Sequence, residues 1–234
     1  MLRVLDLFSG AGMFALGLER TGGFETIAFS EINPYACKVL QRHWPHVPNL
    51  GDITKAEFPD ADVITAGFPC QDLSNAGKRA GLAGERSGLW REVVRAIRLV
   101  RPRIVLLENV AALLDRGMGD VASDLAASGY DFEYDCIPAS EIGAPHNRDR
   151  IWIVAYPFGS EGRQEPYRGA LGRMGRVVEP FPWDRDWQSA LCEFRRVDDG
   201  TAYRVDRIDC IRNGLIPQIP ELLGRAILAA KEKA

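Results

Sequence analysis

Short apolar runs alternate with helix-like patterns through the first two thirds of the chain. Five such runs predict β-strands, at residues 3–8, 26–30, 62–68, 103–109 and 150–156. The run 104–107 is apolar on both faces, which is typical of a central parallel strand that helices cover on each side. Strands that alternate with helices in this order predict an α/β sheet with helices on both faces.

Two stretches carry apolar residues at helical spacing. The first lies before the fourth predicted strand, and its helix should end before Pro102. The second predicts a helix that begins near Pro220 and docks back on the core. Their apolar positions are Leu89, Trp90, Val93, Val94, Ile97 and Val100 in the first, and Ile219, Leu222, Leu223, Ala226, Ile227 and Ala230 in the second. Residues 157–199 have no sustained period, which favours an irregular insertion or a small lobe.

Length and composition limit the chain to one sizeable domain, with room for a small appendage. Its 234 residues are 46% hydrophobic and 26% charged, so the chain can bury a core of its own. No run approaches the roughly 18 to 20 apolar residues of a membrane span, and the N-terminus lacks the layout of a signal peptide. We therefore expect a cytoplasmic protein that does not bind a membrane.

Charge and cysteine content narrow the classes of binding site. A formal net charge of −3 gives no global basic signature, so any nucleic-acid surface must be local. The five cysteines are far apart and include no Cys-x-x-Cys pair, which argues against a disulfide framework or a zinc ribbon. His43 and His46 are spaced to share a helix face, but no second ligand pair stands near them in the sequence. We expect no metal site.

A turn that contains glycines, residues 6–12, joins the first predicted strand to a helix. Glycine lets the backbone approach a ligand closely, and the helix start offers unpaired N–H groups, although such a turn also serves tight packing. Glu31 ends the second strand, where an open α/β fold places an acid against ribose hydroxyls, and it could equally be a solvated charge. Asp52 supplies another acceptor near the same crevice. Together these residues predict a small-molecule cofactor.

Cys70 and Glu108 follow two of the apolar strands. Cys70 comes after Pro69 in a loop at the end of strand 62–68, so its thiolate could act as a nucleophile, although a cysteine is more often a small buried hydrophobe. Glu108 closes strand 103–109, where burial would raise the pKa of its carboxyl and suit it to donate or share a proton. We predict that a nucleophile and an acid face one crevice.

Four sequence blocks occur in the order of a known enzyme family. They are Asp6-Leu7-Phe8-Ser9-Gly10-Ala11-Gly12, Gly67-Phe68-Pro69-Cys70-Gln71, Glu108-Asn109-Val110 and residues 143–153. In this order they resemble the DNA cytosine-5 methyltransferases of bacteria and phages. The resemblance covers about residues 1–156 and resumes near Asp206, where Asn213, Pro217 and the run 218–222 are similar to the family's closing block.

The resemblance implies a Rossmann-like fold of the methyltransferases that depend on S-adenosylmethionine. Such a fold has a mostly parallel seven-stranded sheet with helices on both faces, here with a small irregular recognition lobe. The implied organisation begins with a catalytic and cofactor-binding domain at residues 1–156. A short insertion that resembles a target-recognition region follows at 157–205, and a C-terminal segment with a helix, 206–234, returns to the catalytic domain.

Cytosine C5 is a poor nucleophile until another group adds to C6, and the resemblance assigns that addition to Cys70. Its thiolate would attack C6 while Glu108 bonds to N3, and C5 would then take the methyl group of S-adenosylmethionine. Arg148 and Arg150 match the two arginines that serve the cytosine oxygen and the DNA backbone in the family. The target nucleotide must be flipped out of the duplex. The implied partner is double-stranded DNA that contains the target cytosine.

The resemblance also assigns cofactor and substrate contacts. Phe8 would pack on the adenine, and Glu31 would bind the ribose. Asp52 would accept from the adenine amino group, and Pro69 would lie near the sulfonium. The remaining cofactor residues are Ser9, Gly10, Gly12, Ile32, Ile53 and Asn213. The substrate residues are Gln71, Ser74, Lys78, Arg79 and Asn109, three of which lie in segment 74–88, which resembles the family's catalytic loop.

Three residues depart from the family's pattern. Met13 stands where a second glycine is usual after Gly12, so its side chain would crowd or line the cofactor pocket. His146 replaces the usual glutamine that precedes the two arginines. Arg212 precedes Asn213 at a position where glycine is usual.

The region that should recognise the target sequence, roughly 157–203, is far shorter than is usual in the family. Its arginines and aromatic residues suit phosphates and unstacked bases, or they belong to a small lobe that covers the sheet edge. These residues are Arg163, Arg168, Arg173, Arg176, Tyr167, Trp183 and Trp187. Four interpretations of the chain therefore stay open: an active DNA enzyme that works as a monomer, a subunit that depends on an accessory specificity chain, a catalytically impaired prophage relic, and a tRNA cytosine-5 methyltransferase.

Overall fold

In the part of the chain that the structure describes, six strands form one sheet with the order β2-β1-β3-β4-β6-β5. The computed structural model describes residues 1–69, 88–142, 148–159, 169, 171–172 and 214–231. The strands are β1 (Leu2–Leu7), β2 (Phe24–Ser30), β3 (Val63–Gly67), β4 (Ile104–Val110), β5 (Tyr130–Pro138) and β6 (Asp149–Pro157). The helices are α1 (Met13–Glu19), α2 (Pro34–His43), α3 (Gly88–Val100), α4 (Leu113–Arg116), α5 (Met118–Ala127) and α6 (Gln218–Lys231), and a 3-10 helix follows β5 at Ala139–Ile142.

The sheet is mixed, with a parallel part and an antiparallel part. β1 pairs in parallel with β2 and β3, and β3 pairs in parallel with β4. β6 is antiparallel to both of its neighbours, β4 and β5. All five strands predicted from the apolar runs are confirmed, and so is the helix that ends before Pro102. The strand with the run 104–107 lies inside the sheet, between β3 and β6, as predicted.

The two edges of the sheet differ from the sequence-based expectation. The apolar pattern does not predict β5, because Asp131, Glu133 and Asp135 interrupt it and the strand lies at the edge of the sheet. At the opposite edge, an isolated parallel bridge joins Phe29 of β2 to Asn49. The seven-stranded sheet is therefore not confirmed, because the described residues form six strands and this bridge.

Helices pack on both faces of the sheet, as the sequence predicts. Leu5 and Leu7 of β1 lie in one buried cluster with apolar residues of α3 and α5, such as Val93. Leu2 and Val4 face the other side, in a cluster with apolar residues of α1 and α6. This alternation is the two-residue period of a strand that is covered on both faces.

The C-terminal helix α6 packs against α1 at a close approach that Gly17 allows. A Cβ atom at Gly17 would lie 2.2 Å from the carbonyl oxygen of Pro217. Pro220 lies in the first turn of α6, where its missing N–H costs no helical hydrogen bond. Leu223 and Ile227 are fully buried, so the predicted helix and its apolar stripe are confirmed. Among the described residues no helix, α6 included, has the length and apolar character that a membrane span needs.

Only short pieces of the predicted insertion, 157–205, belong to the described residues. Glu133 of β5 accepts hydrogen bonds from the backbone N–H groups of Gly169 (3.0 Å) and Leu171 (3.1 Å). Leu171 is buried in the cluster that contains α1 and α6. This piece is thus anchored to the sheet, while the division of the chain at 156 and 205 stays a prediction.

Candidate active site

A cavity of about 350 Å³ opens at the carboxyl ends of β1, β2, β3 and β4, where open α/β sheets bind ligands. Most of the residues predicted to bind a cofactor line it: Phe8, Ser9, Gly10, Glu31, Ile32, Asp52, Ile53 and Pro69. Glu108 lines the same cavity. The predicted acid and the predicted cofactor residues therefore share one crevice.

The loop between β1 and α1 forms one wall of this cavity. Phe8 has a φ of 53° and Gly10 a φ of 54°, so the backbone turns through the left-handed region twice. Gly12, the N-cap of α1, has a φ of 77°, and a Cβ atom there would lie 2.6 Å from the ring of Trp44. Gly12 therefore serves tight packing, which is the alternative that the sequence left open, and its contact with a cofactor stays a prediction.

Apolar residues outside the predicted set of cofactor contacts also line the cavity. They include Met13, Leu89 and Leu215. Met13 is the residue that replaces the usual second glycine, and its side chain lines the cavity at the first turn of α1. Leu215 follows Gly214, another lining residue, so the segment before α6 closes one side of the same cavity.

Glu31 ties two cavity loops together through its carboxylate. One oxygen accepts a 2.7 Å hydrogen bond from the backbone N–H of Gly10. The other accepts from the N–H groups of Ile32 (2.9 Å) and Asn33 (2.7 Å), at the start of α2. Glu31 is therefore not a simple solvated charge, and its orientation toward the cavity is set before any ligand binds.

Asp52 is a fixed acceptor on the loop beyond β2. Its carboxylate accepts from the hydroxyl (2.8 Å) and the backbone N–H (3.0 Å) of Thr54, and Lys55 Nζ lies 3.7 Å away. The hydrogen bonds from Thr54, with the positive charge of Lys55, hold the pKa of Asp52 below its usual value. The side chain is thus ionised near neutral pH and can accept from a ligand N–H group.

Glu108 lies inside β4 beside the guanidinium group of Arg150, and the charge of Arg148 also acts on it. Its carboxyl oxygen is 2.9 Å from Arg150 Nε, and the residue is only 8% exposed. Burial raises the pKa of Glu108 above its usual value, while the charges of Arg150 and Arg148 partly oppose that rise. The pKa of Arg148 is lowered, first by burial and then by the charge of Arg150. A carboxyl of this kind can hold a proton at a pH where an exposed glutamate is ionised.

The pairing of β3 with β4 places Glu108 next to the end of β3, where the loop toward Cys70 begins. Gly67 is the register partner of Glu108, and Cys70 follows three residues later. Asn109 is buried, and its side-chain amide donates a 3.0 Å hydrogen bond to the carbonyl of Phe68. Asn109 therefore anchors the start of that loop to β4, and its predicted contact with a substrate stays a prediction.

Several residues of the predicted site lie outside the described residues. They are Cys70, Gln71, Ser74, Lys78, Arg79, His146 and Asn213. Their roles as nucleophile, substrate contacts and cofactor contact remain predictions from the resemblance. Within the described ranges, no group of three or more His, Cys, Asp or Glu side chains is arranged to hold a metal ion.

Sequence reasoning missed two residues that support the cavity, Asp6 and Asn49. Asp6 is buried under the first loop, and burial raises the pKa of its carboxyl to about 7. One oxygen accepts a 2.6 Å hydrogen bond from Thr65 Oγ1, and the other has no hydrogen-bond partner among the described residues. Asn49 bonds to both Glu31 and Gly51. A carboxylate inside an apolar strand is a signal that could have identified Asp6, whereas no local pattern marks Asn49.

Residues 2–167 match the family described as C-5 cytosine-specific DNA methylase. The type II methyltransferase M.HgiCII of Herpetosiphon aurantiacus is 34% identical over 184 residues, which are 70% of this chain and 42% of the relative. M.BsuFI of Bacillus subtilis is 38% identical over 162 residues, which are 66% of this chain and 39% of the relative. M.NlaX of Neisseria lactamica is 35% identical over 191 residues, which are 78% of this chain and 61% of the relative. The chain thus spans less than two thirds of the length of these relatives.

Two solved structures are similar to this one. A protein encoded within a prophage of E. coli, described as a candidate DNA modification methyltransferase, has a TM-score of 0.56 at 26% identity, over 67% of this chain and 47% of that one. The Dnmt2 methyltransferase of S. pombe has a TM-score of 0.63 at 15% identity, over 99% of this chain and 98% of that one. The second likeness shows the fold alone, and together they support the Rossmann-like methyltransferase fold.

The family match and the cavity agree in position. The matched range, residues 2–167, contains β1 to β6 and the cavity loops that end them. It covers well over half of the 234 residues. The chain belongs to the C-5 cytosine-specific DNA methylase family.

Proposed function

We propose that the protein transfers a methyl group from S-adenosylmethionine to C5 of cytosine in double-stranded DNA. The observation that carries this proposal is the buried carboxyl of Glu108, with Arg148 and Arg150 beside it, in the same cavity as Glu31 and Asp52. Cytosine-C5 methylation needs an acid that can hold a proton and a neighbouring site for a nucleoside-containing cofactor. The relatives named as type II methyltransferases support the same reaction.

The side chains of the cavity fit the chemistry of S-adenosylmethionine. Phe8 lines the cavity and Ile32 is 70% exposed at its rim, so both offer apolar surface to a purine ring. Glu31 keeps lone pairs that can accept from ribose hydroxyls, and Asp52 can accept from the adenine amino group. The other residues proposed to contact the cofactor are Ser9, Gly10, Gly12, Ile53, Pro69 and Asn213. When bound, the cofactor supplies an electrophilic methyl group on its sulfonium.

The residues of the chain activate the cytosine. The Cys70 thiolate forms a bond from Sγ to C6, while Glu108 gives a proton to N3, and the displaced electron pair makes C5 nucleophilic. After C5 has taken the methyl group, its proton passes to a base, the bond from Sγ to C6 breaks and the thiolate is restored. N3 then returns its proton to Glu108. Arg150 and Arg148 are proposed to bind the cytosine oxygen and the DNA backbone, in keeping with their place beside Glu108.

The proposed DNA substrate must expose one base outside the helix. Extruding a nucleotide costs a few kcal/mol, which contacts in the pocket must recover. We assign these contacts to Gln71, Ser74, Lys78, Arg79 and Asn109. Asn109 donates one amide N–H to the Phe68 carbonyl, and we assign its second N–H to the substrate. In this proposal the protein acts as a monomer on DNA in the bacterial cytoplasm.

The proposal is tested with purified protein, radiolabelled S-adenosylmethionine and unmethylated genomic DNA, with bisulfite sequencing of the product. We expect label at cytosine C5 with the wild type and none with Cys70→Ala, because only the thiolate adds to C6. Cys136→Ala is the matched control, since this half-buried cysteine lies on β5 and should be dispensable. Full methylation by Cys70→Ala would show that the proposed nucleophile is wrong.

A second candidate is a methyltransferase subunit that needs an accessory chain for specificity. The short predicted insertion, 157–205, favours it, because reading base edges needs several positioned side chains. Such a subunit would bind S-adenosylhomocysteine but label DNA only after a cell extract or a neighbouring gene product is added. Label that stays absent under both conditions would indicate an impaired relic, and label on tRNA in place of DNA would indicate an RNA enzyme.

A further inference from the structure

We propose that Asn49 is a positioning residue that holds together the ribose-side and adenine-side loops of the cofactor pocket. The inference rests on the proposed function, because it assigns those two loops, around Glu31 and around Asp52, to S-adenosylmethionine. Asn49 does not line the cavity itself. It therefore acts through the residues that do.

The side-chain amide of Asn49 both accepts and donates hydrogen bonds. Its Oδ1 accepts hydrogen bonds from the backbone N–H groups of Glu31 (3.0 Å) and Gly51 (3.1 Å). Its Nδ2 donates to the carbonyl of Glu31 (3.0 Å) and lies 3.2 Å from the sulfur of Cys37 on α2. One side chain thus bonds both backbone groups of Glu31 and the residue that precedes Asp52.

These bonds extend the β-ladder beyond the point where backbone pairing ends. Phe29 N–H donates to the carbonyl of Pro48 (2.9 Å), and Leu50 N–H donates to the carbonyl of Phe29 (2.7 Å). Two residues after Phe29, just beyond the end of β2, the Asn49 amide bonds the backbone of Glu31 as a neighbouring strand would. A primary amide suits this role because it carries a donor and an acceptor side by side.

The same arrangement explains why Glu31 and Asp52 keep a fixed separation. Ser30 Oγ also donates to the carbonyl of Gly51 (2.8 Å), but it bonds no group of Glu31 itself. Gly51 has a φ of 72°, so the chain turns sharply just before Asp52 and needs support on its N–H group. Without the Asn49 amide, the N–H groups of Glu31 and Gly51 would lose their acceptor, and the Glu31 carbonyl would keep only the Cys37 thiol. The separation of the two carboxylates would then be less firmly fixed.

The expected effect is a loss of cofactor affinity without a loss of chemistry. Asn49→Ala should raise the Kd for S-adenosylhomocysteine about tenfold. In this variant, part of the binding free energy would be spent on ordering the two loops. Asn49→Asp keeps the two accepted bonds but sets an oxygen against the Glu31 carbonyl, so it should also bind more weakly. The kcat at saturating cofactor should change by less than about twofold in both variants.

The experiment is titration calorimetry of the full chain with S-adenosylhomocysteine and, separately, with 5′-methylthioadenosine. Because Asn49 acts at the adenosine end, both ligands should lose affinity by the same factor. Ser128→Ala is the matched control: it removes hydrogen bonds to Arg98 and to the Asp124 carbonyl, remote from the cavity, so it should lower Tm and leave both Kd values unchanged. If Asn49 only stabilised the fold, Asn49→Ala would likewise lower Tm and leave both Kd values unchanged.

Each outcome decides one question. If the wild type binds both ligands and Asn49→Ala binds them equally well at a temperature where it is folded, the positioning role is wrong. If Asn49→Asp binds like the wild type, the donor side of the amide contributes nothing and the two-sided bridge is wrong. If the wild type binds neither ligand, the proposed cofactor fails, and the inference fails with it.

Discussion

Two opposing influences determine the pKa of the Glu108 carboxyl. Burial raises it, and the positive charges of Arg150 and Arg148 lower it. In the proposed reaction the protonated form is active, so kcat/KM should fall as the pH rises through the raised pKa. Arg150→Ala removes the nearer positive charge and should move this falling limb to higher pH. The measurement is the pH profile of kcat/KM for wild type and variant.

Two further variants test whether the falling limb belongs to Glu108 and depends on the charge of Arg150. Arg150→Lys keeps a positive charge near Glu108, so its falling limb should lie closer to that of the wild type. Glu108→Gln cannot ionise and should abolish the limb together with most of the activity. If the falling limb of kcat/KM lies at the same pH in Arg150→Ala as in the wild type, the limb belongs to a group other than Glu108.

Asp6 makes folding depend on pH, because burial raises the pKa of its carboxyl from 3.8 to about 7. The folded state keeps the proton over a range in which the unfolded chain has lost it. The contribution to stability is thus fully present below about pH 3.8 and is lost as the pH rises through about 7. Asp6→Asn carries no charge, so its free energy of unfolding should rise relative to that of the wild type between about pH 3.8 and about pH 7, by at most about 1.4 kcal/mol per pH unit.

Urea unfolding at a series of pH values measures this difference. Thr65→Val supplies a control of opposite sign, because the hydroxyl of Thr65 donates to Asp6 and lowers its pKa. Removal of that hydroxyl should raise the pKa of Asp6 further and extend the loss of stability to higher pH. Parallel pH curves for wild type and Asp6→Asn would mean that Asp6 does not titrate in this range.

At the scale of elements, the contact between α1 and α6 depends on a residue without a side chain. A Cβ atom at Gly17 would meet the carbonyl oxygen of Pro217 at 2.2 Å and Pro220 at 2.8 Å, so the two helices would have to separate. Gly17→Ala should therefore destabilise the fold by about 1–3 kcal/mol, although alanine is the better helix former. Gly119→Ala in α5 meets no atom within 4 Å and should be neutral or stabilising. Urea unfolding compares the free energies of unfolding of the two variants. If Gly17→Ala is as stable as Gly119→Ala, the close approach of α1 and α6 is wrong.

Elements with a strong apolar period were predictable from the sequence. β4 and α3 are examples. Positions that face the core carry apolar residues, so the spacing of the apolar residues reveals which element they form. β5 was not, since its acidic residues at Asp131, Glu133 and Asp135 reflect an exposed edge. The number of strands was also not predictable, because the chain around Asn49 pairs with β2 at a single bridge.

For the whole molecule, the resemblance named residues that line one cavity, and the structure revealed the residues that support this cavity. Glu31, Asp52 and Glu108 line one cavity, as expected from their positions at strand ends. Asp6 and Asn49 could not be found in this way, because their contacts join residues far apart in the sequence. The roles of Cys70 and of the segment 157–205 remain predictions that the methylation experiment addresses.

The packing of α6 on α1 has a consequence for how the protein is made. Phe14 and Leu18 of α1 are buried in a cluster with Leu223 and Ile227, which are synthesised about 200 residues later. At about 5–20 residues per second, a ribosome needs tens of seconds to cover that distance. The nascent chain therefore carries an uncovered apolar face behind the cofactor loops for most of its synthesis, and in the cell it should be a client of chaperones that bind emerging polypeptides.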